Sequence, residues 1–223
     1  MPSLAQPASA RHFIPAMPTS ITPEFDRLRP GLWTWHAFDH SVKAELFSTA
    51  LAVDRRVYIV DPIPLAEPDF GELNQAGEIA GVIVTNANHQ RSALEYSDRF
   101  SVPVFGHSDA LTAIKPTRSG DFSAITAQGD FEVIEIEGAV SGEIALYRSA
   151  NGGTLIVGDA LINFDPYGFT FLPRKYCLDQ KQMRRSLGKL LSLSIDRMLF
   201  AHGTPILSKA ADHLRDLLES KIR

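Results

Sequence analysis

GVIVTNANHQRS, Gly81 to Ser92, sets an apolar run against amides, a histidine and an arginine. Gly81 to Val84 reads as a short buried strand, and Ser92 to Arg99 as the helix that follows. Polar groups at a strand-to-helix junction are where α/β proteins place ligand contacts and chemistry. Asn86, Asn88, His89 and Arg91 are therefore candidate cleft residues.

The flanking sequence repeats this arrangement. Val57 to Val60 is an apolar strand that stops at Asp61-Pro62, and Thr154 to Val157 stops at Gly158-Asp159. Arg197 to Ala201 stops at His202-Gly203. Asp61, Asp159 and His202 thus join the candidate cleft, because strand-end carboxylates and imidazoles are common parts of metal and acid–base sites. Asp61 also reads as a turn former that bonds backbone amides. His89 falls in the first turn after the strand, where a solvent-facing or capping side chain is expected.

Leu32 to Phe38 and Val42 to Val53 mix aromatic and β-branched residues and read as strands, although AELFSTALA also fits a helix. Asp69 to Ala76, Ser108 to Ile114, Asp179 to Leu193 and Ser208 to Ile222 have helical spacing. Ser108 or Asp109 is the expected cap of the second of these. Phe131 to Glu137 alternates apolar and acidic residues, as a strand with one wet face does. Glu143 to Arg148 and Thr154 to Val157 form a hairpin around Asn151-Gly152-Gly153. Phe164 to Pro173 reads as an aromatic loop, whose YGFTF segment lines a pocket or meets another subunit. The order implies an α/β (α+β) fold, a four-layer αββα sandwich of two packed mixed β-sheets. Six prolines among the first 30 residues mark an N-terminal arm over 1–30, with a single domain over 31–223.

The chain has 223 residues, 44 % of them hydrophobic and 22 % charged, with a net charge of −4. No basic block suggests nucleic acid, and no run is long enough to span a membrane. The lone Cys177 excludes an intramolecular disulfide framework. The N-terminus lacks the order of a signal peptide, so a cytoplasmic location is expected.

VYIVDP, the IVT strand end, EGAVSGEIALY, LIVGDAL and LFAHGTP occur in the order and spacing of the metallo-β-lactamase superfamily, which residues 32–222 resemble. The resemblance implies a THxHxDH motif after IVT, a GHTPG motif at the hairpin, a bridging aspartate and a late histidine, together holding two metals. Here Asn86 and Asn88 stand for the first two histidines, Gln90 for the aspartate and Arg91 for the last histidine. Ala139 stands for the GHTPG histidine; Asp159 and His202 keep the family's residue types.

Amides are poor zinc donors, and a guanidinium repels a dication. No dinuclear zinc centre and no cofactor are therefore expected. Arg91 is expected to replace a metal by pairing with Asp159. The implied protein binds a small molecule or another chain in the former metal cleft, and homo-oligomerisation stays open. The alternative is a hydrolase of an ester, thioester, lactone or phosphoester. It would use no metal, or one divalent metal such as zinc on His89, Asp159 and His202.

Overall fold

The structure is a computed structural model and describes residues 23–127 and 131–220. Its first sheet holds β1 (Glu24–Arg29), β2 (Leu32–Asp39), β3 (Ala44–Val53), β4 (Arg56–Val60), β5 (Glu78–Ile83) and β6 (Val104–Phe105), in that spatial order. The first four strands pair antiparallel, and β4, β5 and β6 pair parallel. Helices α1 (Glu67–Ala76), α2 (Ala93–Phe100) and α3 (Ser108–Ile114) connect the strands, and α4 (Ser123–Thr126) is a single turn. The second sheet runs β12 (Arg197–Phe200), β9 (Thr154–Val157), β8 (Ile144–Arg148), β7 (Glu132–Glu135). There β9 and β12 are parallel and the other pairs antiparallel. A hairpin of β10 (Leu161–Phe164) and β11 (Gly168–Phe171) precedes α5 (Gln180–Lys189), and α6 (Ala210–Glu219) ends the fold.

Strand alternation creates three apolar layers. Val57 and Ile59 of β4 face α1 and α2 in a core with Phe70, Leu73 and Tyr96, while Tyr58 and Val60 face the second sheet. In β12, Leu199 joins that central layer, and Met198 and Phe200 pack with Met183, Leu187 and Leu214 of α5 and α6. Four layers of secondary structure around three apolar ones are the expected αββα sandwich. Asp179 starts α5 by accepting from the Lys181 and Gln182 amides at 2.8 and 3.1 Å, a side-chain cap that satisfies free helix donors.

One open reading is decided and three local expectations change. AELFSTALA is β3, because it pairs along its length with β2 and β4. The Phe164–Pro173 loop contains most of the β10–β11 hairpin, its apolar residues paired across a turn. The cap of α3 is His107, whose Nδ1 accepts from the Asp109 amide at 3.2 Å. Part of the expected arm, Glu24–Arg29, pairs with β2 as an edge strand; residues 1–22 lie outside the described residues.

The topology places the site. Asp61 follows β4, Thr85 follows β5, Asp159 follows β9 and His202 follows β12. These are the C-terminal ends of two parallel pairs, one in each sheet. Cross-sheet bonds from the Ile144 amide to the Thr85 carbonyl and from Phe47 to Ala201, each 2.9 Å, hold the sheets together there.

Candidate functional site

Asn86 starts the loop after β5 by capping a short 3₁₀ turn, Ala87–His89, its Oδ1 accepting from the Asn88 amide at 2.9 Å. This tight turn swings His89 inward, where it is 2 % exposed. His89 therefore neither faces solvent nor caps the helix. Its Nδ1 lies 2.7 Å from Thr85 Oγ1 and 3.1 Å from Asp61 Oδ2. Its Nε2 lies 3.2 Å from Asp159 Oδ1. That nitrogen is fully buried and has no well-directed hydrogen-bond acceptor, so its contact with Asp159 is an ion pair more than an aligned hydrogen bond.

Asp61 bonds a backbone amide as expected, but across strands rather than within its own turn: it accepts from the Thr85 amide at 2.8 Å and the Thr85 hydroxyl at 2.6 Å. Its φ of 48° lies in the left-handed region, as does the 37° of Arg91, an uncommon conformation for residues with a Cβ. Gly158, just before Asp159, has no room for a Cβ, which would strike Thr85 Oγ1. Its small size lets the end of β9 approach the end of β5.

Arg91 does not make the expected pair with Asp159. Its Nη1 donates to the carbonyls of Phe47 and Asp61 at 2.6 and 3.0 Å, and its Nη2 to Ala201 at 3.1 Å. These oxygens come from the ends or edges of three strands and outcompete the carboxylate because they converge on one planar fork. Asp159 is met by His89, by His202 Nε2 at 3.4 Å and by the Asn86 amide nitrogen at 3.1 Å. Asn86 also donates to Glu143 Oε2 at 2.6 Å, and Glu143 Oε1 accepts from the Ala160 amide at 3.0 Å. Glu143 was not among the sequence candidates. Its signal was a single acid after Gly142 at the head of the apolar IALY strand.

Burial disfavours charge on His89, yet Asp159 and Asp61 outweigh it and raise its pKa to about 10. Burial also opposes ionisation of both aspartates, but His89 holds them below the usual carboxylate range. Burial and then Asp159 push Glu143 upward. His202 is pushed down to about 4 by burial and by the His89 cation. Its Nδ1 lies 3.3 Å from the Glu45 carbonyl, which only accepts, so Nδ1 carries the proton. Its Nε2 then faces Arg91 Nη2 at 3.5 Å.

These groups form the floor of a cleft of about 960 Å³. Asn88, His89, Arg91, Asp159 and His202 lie at its base, and Val42, Leu46, Val140, Ile162, Phe164 and Leu172 are among its apolar walls. Asp61 and Asn86 lie behind His89 and are sealed from the cleft.

Two packed mixed sheets between helices, with a polar cluster at the ends of their parallel strands, define the metallo-β-lactamase fold. The family model described as the metallo-beta-lactamase superfamily matches residues 26–221, and the chain belongs to that superfamily. Among solved structures, a metallo-β-lactamase from Erythrobacter litoralis is 13 % identical with a TM-score of 0.70, covering 88 % of this chain and 96 % of its own. One from Pontibacter korlensis is 14 % identical with a TM-score of 0.67, covering 90 % and 100 %. The DIM-1 metallo-β-lactamase is 14 % identical with a TM-score of 0.67, covering 89 % and 97 %. No curated protein matches the sequence.

The residues present do not fit the two-zinc centre that this superfamily implies. The Asn86 oxygen is spent on the Asn88 amide, and its nitrogen faces two carboxylates. Ala139 has no donor, and Arg91 brings a fixed cation to the cluster. One oxygen or nitrogen each from His89, Asp159 and His202 converge within 4.8 Å, a donor set with room for one ion at most. Arg91 beside His202 Nε2 opposes a dication there.

Proposed function

We propose that this chain is a binding member of its superfamily rather than a dinuclear zinc hydrolase. Its cleft takes an amphipathic small molecule. The observation that carries this is the cleft itself, apolar on its walls and hydrogen-bonding at its base, the usual make-up of a small-molecule site. The ligand's apolar body lies against Val42, Leu46, Ile162, Phe164 and Leu172. Its polar head meets Asn88, the free edge of Asp159 and His202.

Titration with 1-anilinonaphthalene-8-sulfonate, followed by displacement with a series of medium-chain alcohols, amides and acids, tests this. Val42→Asp places a charge on a wall that is already 59 % exposed, so the fold tolerates it. Affinity for the displacing compound is expected to fall at least about tenfold in this variant. Saturable binding unaffected by Val42→Asp, or no displacement by any of the series, contradicts the proposal.

A second reading has two observations in its favour, the convergence of the three donors and the unaligned His89 Nε2. One divalent ion such as zinc on His89, Asp159 and His202 would supply a Lewis acid and an activated water. Hydrolysis of an ester, thioester, lactone or phosphoester would follow by analogy of fold. That reading requires His89 to give up a proton between two carboxylates and Arg91 to leave His202.

A further inference from the structure

We infer that the cleft is the first of two subsites, and that its ligand is elongated, with a hydroxyl-bearing far end held in a side pocket beyond Phe164 and Tyr167. The inference rests on the small-molecule reading of the cleft and deepens it by naming the ligand's shape and its second polar end.

The side pocket is a cavity of about 560 Å³. It meets the cleft at a neck, because Ala44, Phe164 and Tyr167 line both. Ala44 opens β3, Phe164 ends β10, and Tyr167 sits in the turn before β11. The neck thus lies between two hairpins. Ala44 contributes only a methyl group to it. On the other side the Phe164 and Tyr167 rings pack edge to face, their centroids 5.6 Å apart. Tyr167 is 68 % exposed, so little besides Phe164 holds its ring against a passing chain.

The two linings differ in kind. The cleft walls are largely apolar, whereas the side pocket presents Lys43, Glu45, Asn163, Asp165 and Thr204, with Phe38 as a further ring. Lys43 only donates, the two carboxylates only accept, and the Thr204 hydroxyl does both. The Asn163 nitrogen is spent on the Thr204 carbonyl at 2.6 Å, which leaves its oxygen to accept. A hydroxyl group suits this mixture. It donates to the carboxylates and accepts from the ammonium, and brings no charge that any of them repels. A carboxylate end would meet two like charges, an ammonium end would meet Lys43, and a bare methyl end would bond none of them.

Displacement of 1-anilinonaphthalene-8-sulfonate from the full chain by 1-alkanols and by the matching α,ω-alkanediols, hexyl to dodecyl, tests this. Inside an apolar cleft the second hydroxyl is desolvated without a partner and weakens binding. The ratio of diol to alkanol affinity should therefore start low and rise by about tenfold once the chain passes the neck. Ala44→Phe plugs the neck. It should abolish the rise and leave the affinity for 1-hexanol within about twofold of wild type. Lys43→Met with Glu45→Met changes two exposed side chains, so the fold tolerates it, and leaves the neck open. This double variant should also abolish the rise, which separates the side pocket from solvent at the cleft mouth. A ratio that does not change with chain length, or a rise that survives the double variant, overturns the inference and leaves the cleft reading standing. No displacement by any alkanol or diol overturns both.

Discussion

A single ring at position 89 meets carboxylates from two strand ends, and most of the site's electrostatics follow from it. Replacing it with glutamine removes one partner of a buried ion cluster, which costs about 3–5 kcal/mol; urea unfolding at neutral pH measures this. The sign of its pH dependence is set by the raised pKa. His89 is protonated in the folded state up to about pH 10 and in the unfolded chain only to about 6.5. Its contribution is thus complete below pH 6.5 and declines as pH rises toward 10. The stability gap between wild type and His89→Gln should narrow over that window; a gap that widens would refute the raised pKa. Arg91→Lys keeps the charge but loses the fork that serves three carbonyls, and should cost about 2–3 kcal/mol in the same assay. The sequence named both residues without giving their orientation. His89 turns inward because Asn86 spends its oxygen on a tight 3₁₀ turn, and Arg91, itself at a positive φ, turns to three carbonyls that converge on its fork. Neither backbone choice has a spacing signal, and Glu143 is hidden by the strand that it begins.

Elements were far more legible than side-chain directions. Apolar runs such as VYIV and LIV, each ended by a carboxylate, mark β4 and β9 because they are buried on both faces. AELFSTALA was ambiguous because its residues suit both periods, and only pairing on both flanks makes it a strand. The β10–β11 hairpin was unread because four-residue strands around Pro166 and Gly168 carry too little alternation. Two glycines test how elements hold the site. Gly203 follows His202 at φ 105°, and a Cβ there would collide with the Asn163 carbonyl. Gly203→Ala should therefore destabilise the protein by more than about 1 kcal/mol and disturb His202. Gly71, inside α1, has open space where a Cβ would stand. Gly71→Ala should stabilise by about 0.5–1 kcal/mol. Denaturation midpoints of the two variants should move in opposite directions, and a shared direction would count against these backbone assignments.

At the scale of the molecule, two sheets bring the ends of two parallel strand pairs to one edge, and the cleft opens there. Among the described residues, no helix is long and apolar enough to cross a membrane. The αββα order was legible because strand and helix signals alternate along the chain, and the family resemblance rests on strand ends that survive when ligands do not. If internal cations hold the sheets together at the cleft, EDTA should leave the unfolding midpoint of the full chain unchanged, and added zinc should not raise it. A metal-held site would lose several degrees to the chelator. The most direct measurement is elemental analysis of the full chain, purified without chelator and equilibrated with zinc, manganese or iron. The account predicts no stoichiometric metal. One metal per chain, lost in His202→Ala, would contradict it.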